Sequence, residues 1–150
     1  MVEMMLVVAI ILTLCAIAVP NLIAAMRHAR DAKAVGDIHS IATDIEAYRV
    51  AAGRYPDAIA DLCVGAQCQT SGYPYVNDPW HNPYQYLNFA NVKGKGPMRK
   101  DRFLVPLNTF YDLYSMGEDG QTVAPLTAKV SRDDIIRADD GDFVGLASDF

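Results

Sequence analysis

A chain of 150 residues is the size of one compact domain, so two separate globular cores are excluded. With 13 Lys and Arg against 18 Asp and Glu, a net charge of −5 and a pI near 5.0, it lacks the clustered cationic excess that phosphate neutralisation requires, which sets polynucleotide binding aside. Eight Tyr, five Phe and one Trp are aromatic bulk enough for a packed interior, which excludes intrinsic disorder.

The apolar residues, 51% of the chain, are unevenly spread. From Met4 to Met26 there is no charged side chain. As helix these roughly 23 residues span about 34 Å, enough to cross a hydrocarbon core about 30 Å thick. The block reads as a membrane helix. A secretory signal peptide would place basic residues before a shorter apolar core, whereas here Glu3 precedes it. A buried core helix would need a larger protein around it. Arg27, Arg30 and Lys33 follow the block, and taken alone the positive-inside rule puts the rest of the chain in the cytoplasm. Cys63 and Cys68 point the other way. In CVGAQC they can close a small disulfide ring in an oxidising compartment, the alternative being two unpaired buried thiols. The spacing is not that of a CxxC redox pair, and no His lies near enough for a zinc knuckle.

The helical pattern continues past the block. Ile38, Ile41, Ile45, Tyr48 and Ala52 recur at three- and four-residue steps, with Asp37, Ser40, Asp44 and Arg49 on the other faces. Gly53 and then Pro56 supply the stop signal. Residues 1 to about 52 therefore predict a rod of roughly 78 Å, longer than a head of this size can cover. Pro20 removes a backbone donor and is expected to bend or locally unwind the rod, with Gly36 a second weak point. The chain divides into an apolar half-helix (1–26), an amphipathic half-helix (27–52) and a globular head (53–150).

In the head, strand-like pieces fall at Tyr84 to Phe89, Phe103 to Val105 and Phe110 to Met116, the last two reading as a hairpin that turns near Asn108. The Lys- and Gly-rich stretch Asn91 to Asp101 reads as a mobile exposed loop. The tail from Gly117 onward is acidic. The aromatic run Tyr73, Tyr75, Trp80, Tyr84, Tyr86 and Phe89 reads as core packing in preference to a ligand platform.

No catalytic constellation stands out. His28, His39 and His81 have no evident partners, and GxSxG, phosphate-loop and CxxCH patterns are absent. Two features call for a physical explanation. Glu3 stands at the threshold of the apolar run, where a carboxylate carried into hydrocarbon costs several kcal/mol unless a cation meets it. Arg27 lies about 36 Å away along a straight helix, so an N-terminal amine, especially that of a neighbouring chain, is the candidate; otherwise Glu3 stays in the headgroup layer. The second is GEDG at Gly117 to Gly120 with RDD at Arg132 to Asp134, hard oxygens of a kind that suits calcium, though not at EF-hand spacing; the other reading is a solvated acidic surface.

At this point the residues resemble the type IV pilins and the related major pseudopilins of type II secretion. MVEMMLVVAIILTLCAIAVPNL (Met1 to Leu22) is similar to their N-terminal helix, with its acidic residue at Glu3 and its proline at Pro20. EAYRVAAGRYPD (Glu46 to Asp57), DPWHNPYQY (Asp78 to Tyr86), YDLYSMGEDG (Tyr111 to Gly120) and DDIIRADDG (Asp133 to Gly141) resemble the major-pseudopilin pattern in particular. The resemblance implies an α+β pilin fold: a long N-terminal α-helix packed on a small antiparallel β-sheet, with a loop-rich acidic C-terminal region.

The resemblance also implies a non-enzymatic filament subunit. Its helix holds it in the inner membrane with the head in the periplasm, after removal of a basic leader that sets this orientation. Assembly machinery of a pilus or secretion system then builds identical subunits into a periplasmic pseudopilus or a cell-surface pilus, helices inside and heads outside. Glu3 would pair with the N-terminal amine of an adjacent subunit, and calcium would be held by Asp119, the Met116 carbonyl, and Asp133 or Asp134. The chain departs from the family in three places. The family's mature protein begins with an N-methylated aromatic residue two positions before Met1, so either residues precede Met1 or the first contact is unusual. Leu12 replaces a common helix glycine, and Gln121 to Arg132 is longer than the usual loop. The rival reading is a membrane-tethered monomeric binding protein outside the cytoplasm, which would tolerate Glu3→Ala where a filament would not.

Overall fold

The computed structural model describes residues 2–63 and 72–150. Helix α1 (Val2–Ala52) is followed by strands β1 (Gln85–Asn88), β2 (Tyr111–Ser115), β3 (Ile135–Ala138) and β4 (Phe143–Leu146). Each strand pairs antiparallel with its neighbour in the chain, giving one sheet in the order β1-β2-β3-β4. Short 3-10 turns at Ile59–Leu62, Phe89–Asn91, Lys129–Ser131 and Asp139–Gly141 link these pieces. This is the expected α+β architecture, a long helix laid on a small antiparallel sheet.

Helix α1 continues through 51 residues, about 76 Å. The local unwinding expected at Pro20 and the weak point at Gly36 leave no interruption in it. Proline removes one bond from the ladder, while the Leu, Ala and Met on either side favour propagation of the turns around it. The helix ends as its sequence dictates: Gly53 takes φ +72°, and its N–H donates to the Arg49 carbonyl at 2.8 Å.

Ala34, Ile38, Ile41 and Ile45, spaced by four, three and four, are all fully buried and form the seam against the sheet. Tyr111 and Leu113 of β2, Ile135 of β3, Tyr73 and Tyr84 meet them, and Tyr75, Trp80 and Tyr86 pack at the margin. The aromatic run is thus largely core. The predicted stripe stops short, however, because Tyr48 is only half-buried and Ala52 is exposed. The turn at Gly53 brings Tyr55 back over the sheet, where it stacks on Phe110 (centroids 5.3 Å apart) and Tyr111 (5.4 Å). Tyr55 covers what the last helical turn does not.

The other face of the sheet carries Ile136 and Ala138, covered by Leu107, Leu126 and Ala147. The long β1–β2 connection and the tail supply this cover, which corrects two expectations. Within Asn91 to Asp101, residues 93–97 are exposed, but Met98 and Arg99 are buried. Lys100 N–H donates to the Ala124 carbonyl (3.1 Å) and Leu126 N–H to the Lys100 carbonyl (2.9 Å), fastening the end of this loop to the tail. Phe103 to Val105 is not a strand. Arg102 turns the chain with φ +44°, and Asp101 and Leu104 bond to each other across a tight turn that leaves Phe103 wholly exposed. Strand β2 therefore pairs with β1 and β3 and has no hairpin partner at 103–105. The acidic tail is loop-rich as expected and also supplies β3 and β4.

Candidate functional site

The apolar half of α1 is bare. Every large apolar side chain from Val2 to Met26 is between 49% and 81% exposed, and none of this half is buried by the head. The segment is long and apolar enough to cross a bilayer. Each such side chain gains about 1.5–3 kcal/mol when removed from water, so a surface of this extent demands lipid or protein around it. Glu3 lies exposed in the first helical turn, where its negative charge complements the helix dipole. Pro20 lies exposed further along the same bare segment.

The second candidate site lies at one end of the sheet. Because Ser115 pairs with Ile135 in the β2–β3 register, the residues following β2 and those preceding β3 come together. Met116, Asp119, Asp133 and Asp134 all lie at this end. Gly117 makes the approach possible. It has φ +66°, and a Cβ placed there would stand 2.3 Å from the Asp133 carbonyl oxygen. The Asn82 amide donates to the Gly117 carbonyl at 3.0 Å. Asp78, which is buried, accepts from the backbone of Trp80 and Asn82 and from the Ser115 hydroxyl, locking the DPWHN turn onto the end of β2.

The acids at this end are already engaged. Asp133 Oδ2 accepts from Asp119 N–H at 3.2 Å, and Asp119 Oδ1 from Gln121 N–H at 2.8 Å. Asp134 is fully buried, with Oδ2 ion-paired to the Arg99 guanidinium and accepting the Thr122 hydroxyl at 2.6 Å. Burial pushes the Asp134 carboxyl up to about 6, against the opposing pull of Thr122 and Arg99. Arg99, 2% exposed, also donates through Nη1 to Thr122 Oγ1 (2.5 Å) and the Val123 carbonyl (2.7 Å), and its guanidinium sits 4.2 Å from the Tyr114 ring centroid.

This arrangement does not suit calcium. The innermost carboxylate of the expected set is neutralised by a guanidinium, and a dication beside that buried cation would be repelled at short range. Among the described residues, no three His, Cys, Asp or Glu side chains converge as a metal group. Arg99 and Thr122 are the residues missed by sequence reasoning, because a Lys- and Gly-rich neighbourhood reads as solvated. The available signal was Asp134 itself, an acid directly before the apolar pair Ile135-Ile136, whose burial requires a cation.

Cys63 is disulfide-bonded, Cys15 is free and exposed, and Cys68 lies outside the described residues. His28, His39 and His81 are exposed on α1 and on the turn after Trp80.

The profile described as type II secretion system (T2SS), protein G matches residues 21–97, from the apolar half of α1 to the loop before Arg99. The chain belongs to this family. The type II secretion system core protein G of Pseudomonas aeruginosa is 31% identical over 133 residues, covering 81% of this chain and 82% of that protein. The proteins of the same name from Aeromonas hydrophila and Pectobacterium carotovorum are each 30% identical, with 79% of this chain and 80% and 73% of theirs aligned. No solved structure gives a significant match. Membership in the protein G family accounts for the pairing of a bare helix with a small head, and it bears out the major-pseudopilin resemblance.

Proposed function

We propose that this chain is the main structural subunit of a type II secretion pseudopilus, a helical filament of identical copies with α1 bundled inside and heads outside. The observation that carries the reading is the apolar half of α1, which the chain's own head leaves uncovered from Val2 to Met26. Bilayer lipid covers it before assembly, with the head in the periplasm, and other copies of α1 cover it afterwards. The relatives' name, type II secretion system core protein G, supports this over a monomeric tether. The subunit is structural and has no catalytic role.

In this reading Glu3 sets the register by pairing with the N-terminal amine of an adjacent copy, which removes the cost of carrying a carboxylate into an apolar bundle. Cys63 pairs with Cys68, closing a small disulfide ring.

The test expresses the chain with its assembly machinery and images the filaments by electron microscopy. Glu3→Ala is expected to abolish filaments while leaving the melting of the head unchanged. Filaments at the wild-type level in that variant remove the role of Glu3. Wild-type protein recovered only as membrane-resident monomers from a cell with working machinery overturns the filament itself.

A further inference from the structure

Arg99 reaches the acidic end of the sheet from a different part of the chain than the acids it meets, 35 residues before Asp134. Its backbone N–H donates to Asp112 Oδ2 at 2.6 Å, so the residue is anchored before its side chain begins. From there the guanidinium crosses the Tyr114 ring to Thr122, Val123 and Asp134. Thr122 closes the circuit, accepting from Arg99 and donating to Asp134. The two buried polar atoms without partners there, Arg99 Nε and Asp134 Oδ1, are a donor and an acceptor on the same pair. They are the complement that a two-pronged guanidinium–carboxylate contact uses. The guanidinium already balances the carboxylate's charge, so the pair carries no net negative charge to attract a second cation.

We propose that Arg99 is the built-in cation of this head: it holds the segment 117–134 to the sheet through Asp134, so that the acidic end folds and stays folded without calcium. The guanidinium does the work a metal ion would do there. It neutralises a fully buried carboxylate and ties the β1–β2 connection to the tail. A buried pair of this kind adds little over an apolar substitute, but stranding one member of it is strongly destabilising. Arg99 is therefore a residue the head depends on.

The test uses the full chain in detergent micelles. Melting is followed in EGTA and again in millimolar calcium chloride, with calcium binding read in parallel by titration calorimetry. The expected result is one melting temperature in both buffers and no saturable heat. Arg99→Met is expected to lower the melting temperature by about 10 °C. Adding Asp134→Asn to it should recover much of the loss, because the stranded charge is gone. A wild-type melting temperature that rises by several degrees with calcium and falls in EGTA overturns the proposal. So does an Arg99→Met protein that melts like the wild type. Should Arg99→Met not fold, Arg99→Lys keeps the charge without the fork and is expected to melt below the wild type, still indifferent to calcium. A calcium-dependent melt in that variant overturns the proposal too. Filaments are read in none of these measurements, so failure here leaves the assembly reading untouched.

Discussion

The Tyr84 hydroxyl donates to Asp37 Oδ2 at 2.9 Å, joining the edge of the head to α1 across 47 residues of chain. Two helical turns further on, the Tyr73 hydroxyl makes the same contact with Asp44 at 2.7 Å. Both tyrosines are buried and both acids flank the Ile38–Ile41–Ile45 seam. The apolar seam supplies adhesion without direction, and the two phenol–carboxylate pairs fix where along the helix the head sits. A subunit whose helix and head serve one lattice requires that register to be rigid.

Tyr84→Phe should therefore cost the head about 1.5 kcal/mol, at the lower end of the range for a hydrogen bond to a charged group. The lower end applies because Asp37 keeps its ion pair with Lys33 at 2.9 Å and is not stranded. Urea unfolding of the detergent-solubilised chain reads the difference. A variant as stable as the wild type would show that the seam alone positions the head.

The same pairs predict alkaline sensitivity. Burial, followed by the hydrogen bond to a carboxylate, pushes the Tyr73 and Tyr84 hydroxyls well above the ordinary tyrosine value near 10. Burial pushes Tyr111 up to about 12. Above pH 10 the unfolded chain loses phenolic protons that the folded head retains. The stabilisation is thus complete below about pH 10 and is lost as pH rises beyond it. Melting measured from pH 8 to 11 should fall at the alkaline end, and less steeply in Tyr73→Phe/Tyr84→Phe. Parallel curves for the two proteins would assign the effect elsewhere.

Why some parts of this molecule were legible from sequence and others were not has a physical reason. Helix α1 declares itself through period, length and an ordered stop signal, because fifty residues of pattern outweigh any local ambiguity. Strands β1 and β2 are visible in QYLN and YDLYS, where aromatic residues mark a two-sided sheet. Strands β3 and β4 are four residues each, too short to show a period, and β3 is bounded by acids that read as loop. The stretch Phe103 to Val105 erred in the opposite sense, since three apolar residues suggest a strand, yet Phe103 and Leu104 are exposed and only Val105 is half-buried. At the acidic end, the β2–β3 register brings Asp119 beside Asp133, with Asp134 next in the chain. Their counter-charge was invisible because Arg99 is recruited through tertiary structure from a segment whose composition says loop.

Gly117→Ala tests the closeness of that acidic end. The new methyl would meet Asp133 backbone atoms at 2.3 and 2.7 Å, and the left-handed φ adds about 1–2 kcal/mol of its own. Backbone cannot swing aside as a long side chain does, so the total should exceed about 3 kcal/mol. Chemical denaturation of the purified chain measures it. A loss of only the conformational part would mean that the tail readily moves away from β2.

Two truncations of similar size on the same helix should separate folding from assembly. Ile41 is fully buried against the sheet, whereas Leu14 is 62% exposed. Ile41→Ala opens a cavity in the head and should cost about 2–5 kcal/mol of monomer stability. Leu14→Ala removes apolar surface that the head of its own chain leaves uncovered, so monomer unfolding in detergent should be unchanged within about 0.5 kcal/mol. In a cell with working assembly machinery the order reverses in kind: Leu14→Ala should yield fewer or shorter filaments from a normally folded subunit, as expected if other copies provide its packing. Quantitative filament imaging beside denaturant curves for both variants supplies the comparison. Normal filaments from Leu14→Ala would mean that this face of the apolar half meets lipid alone.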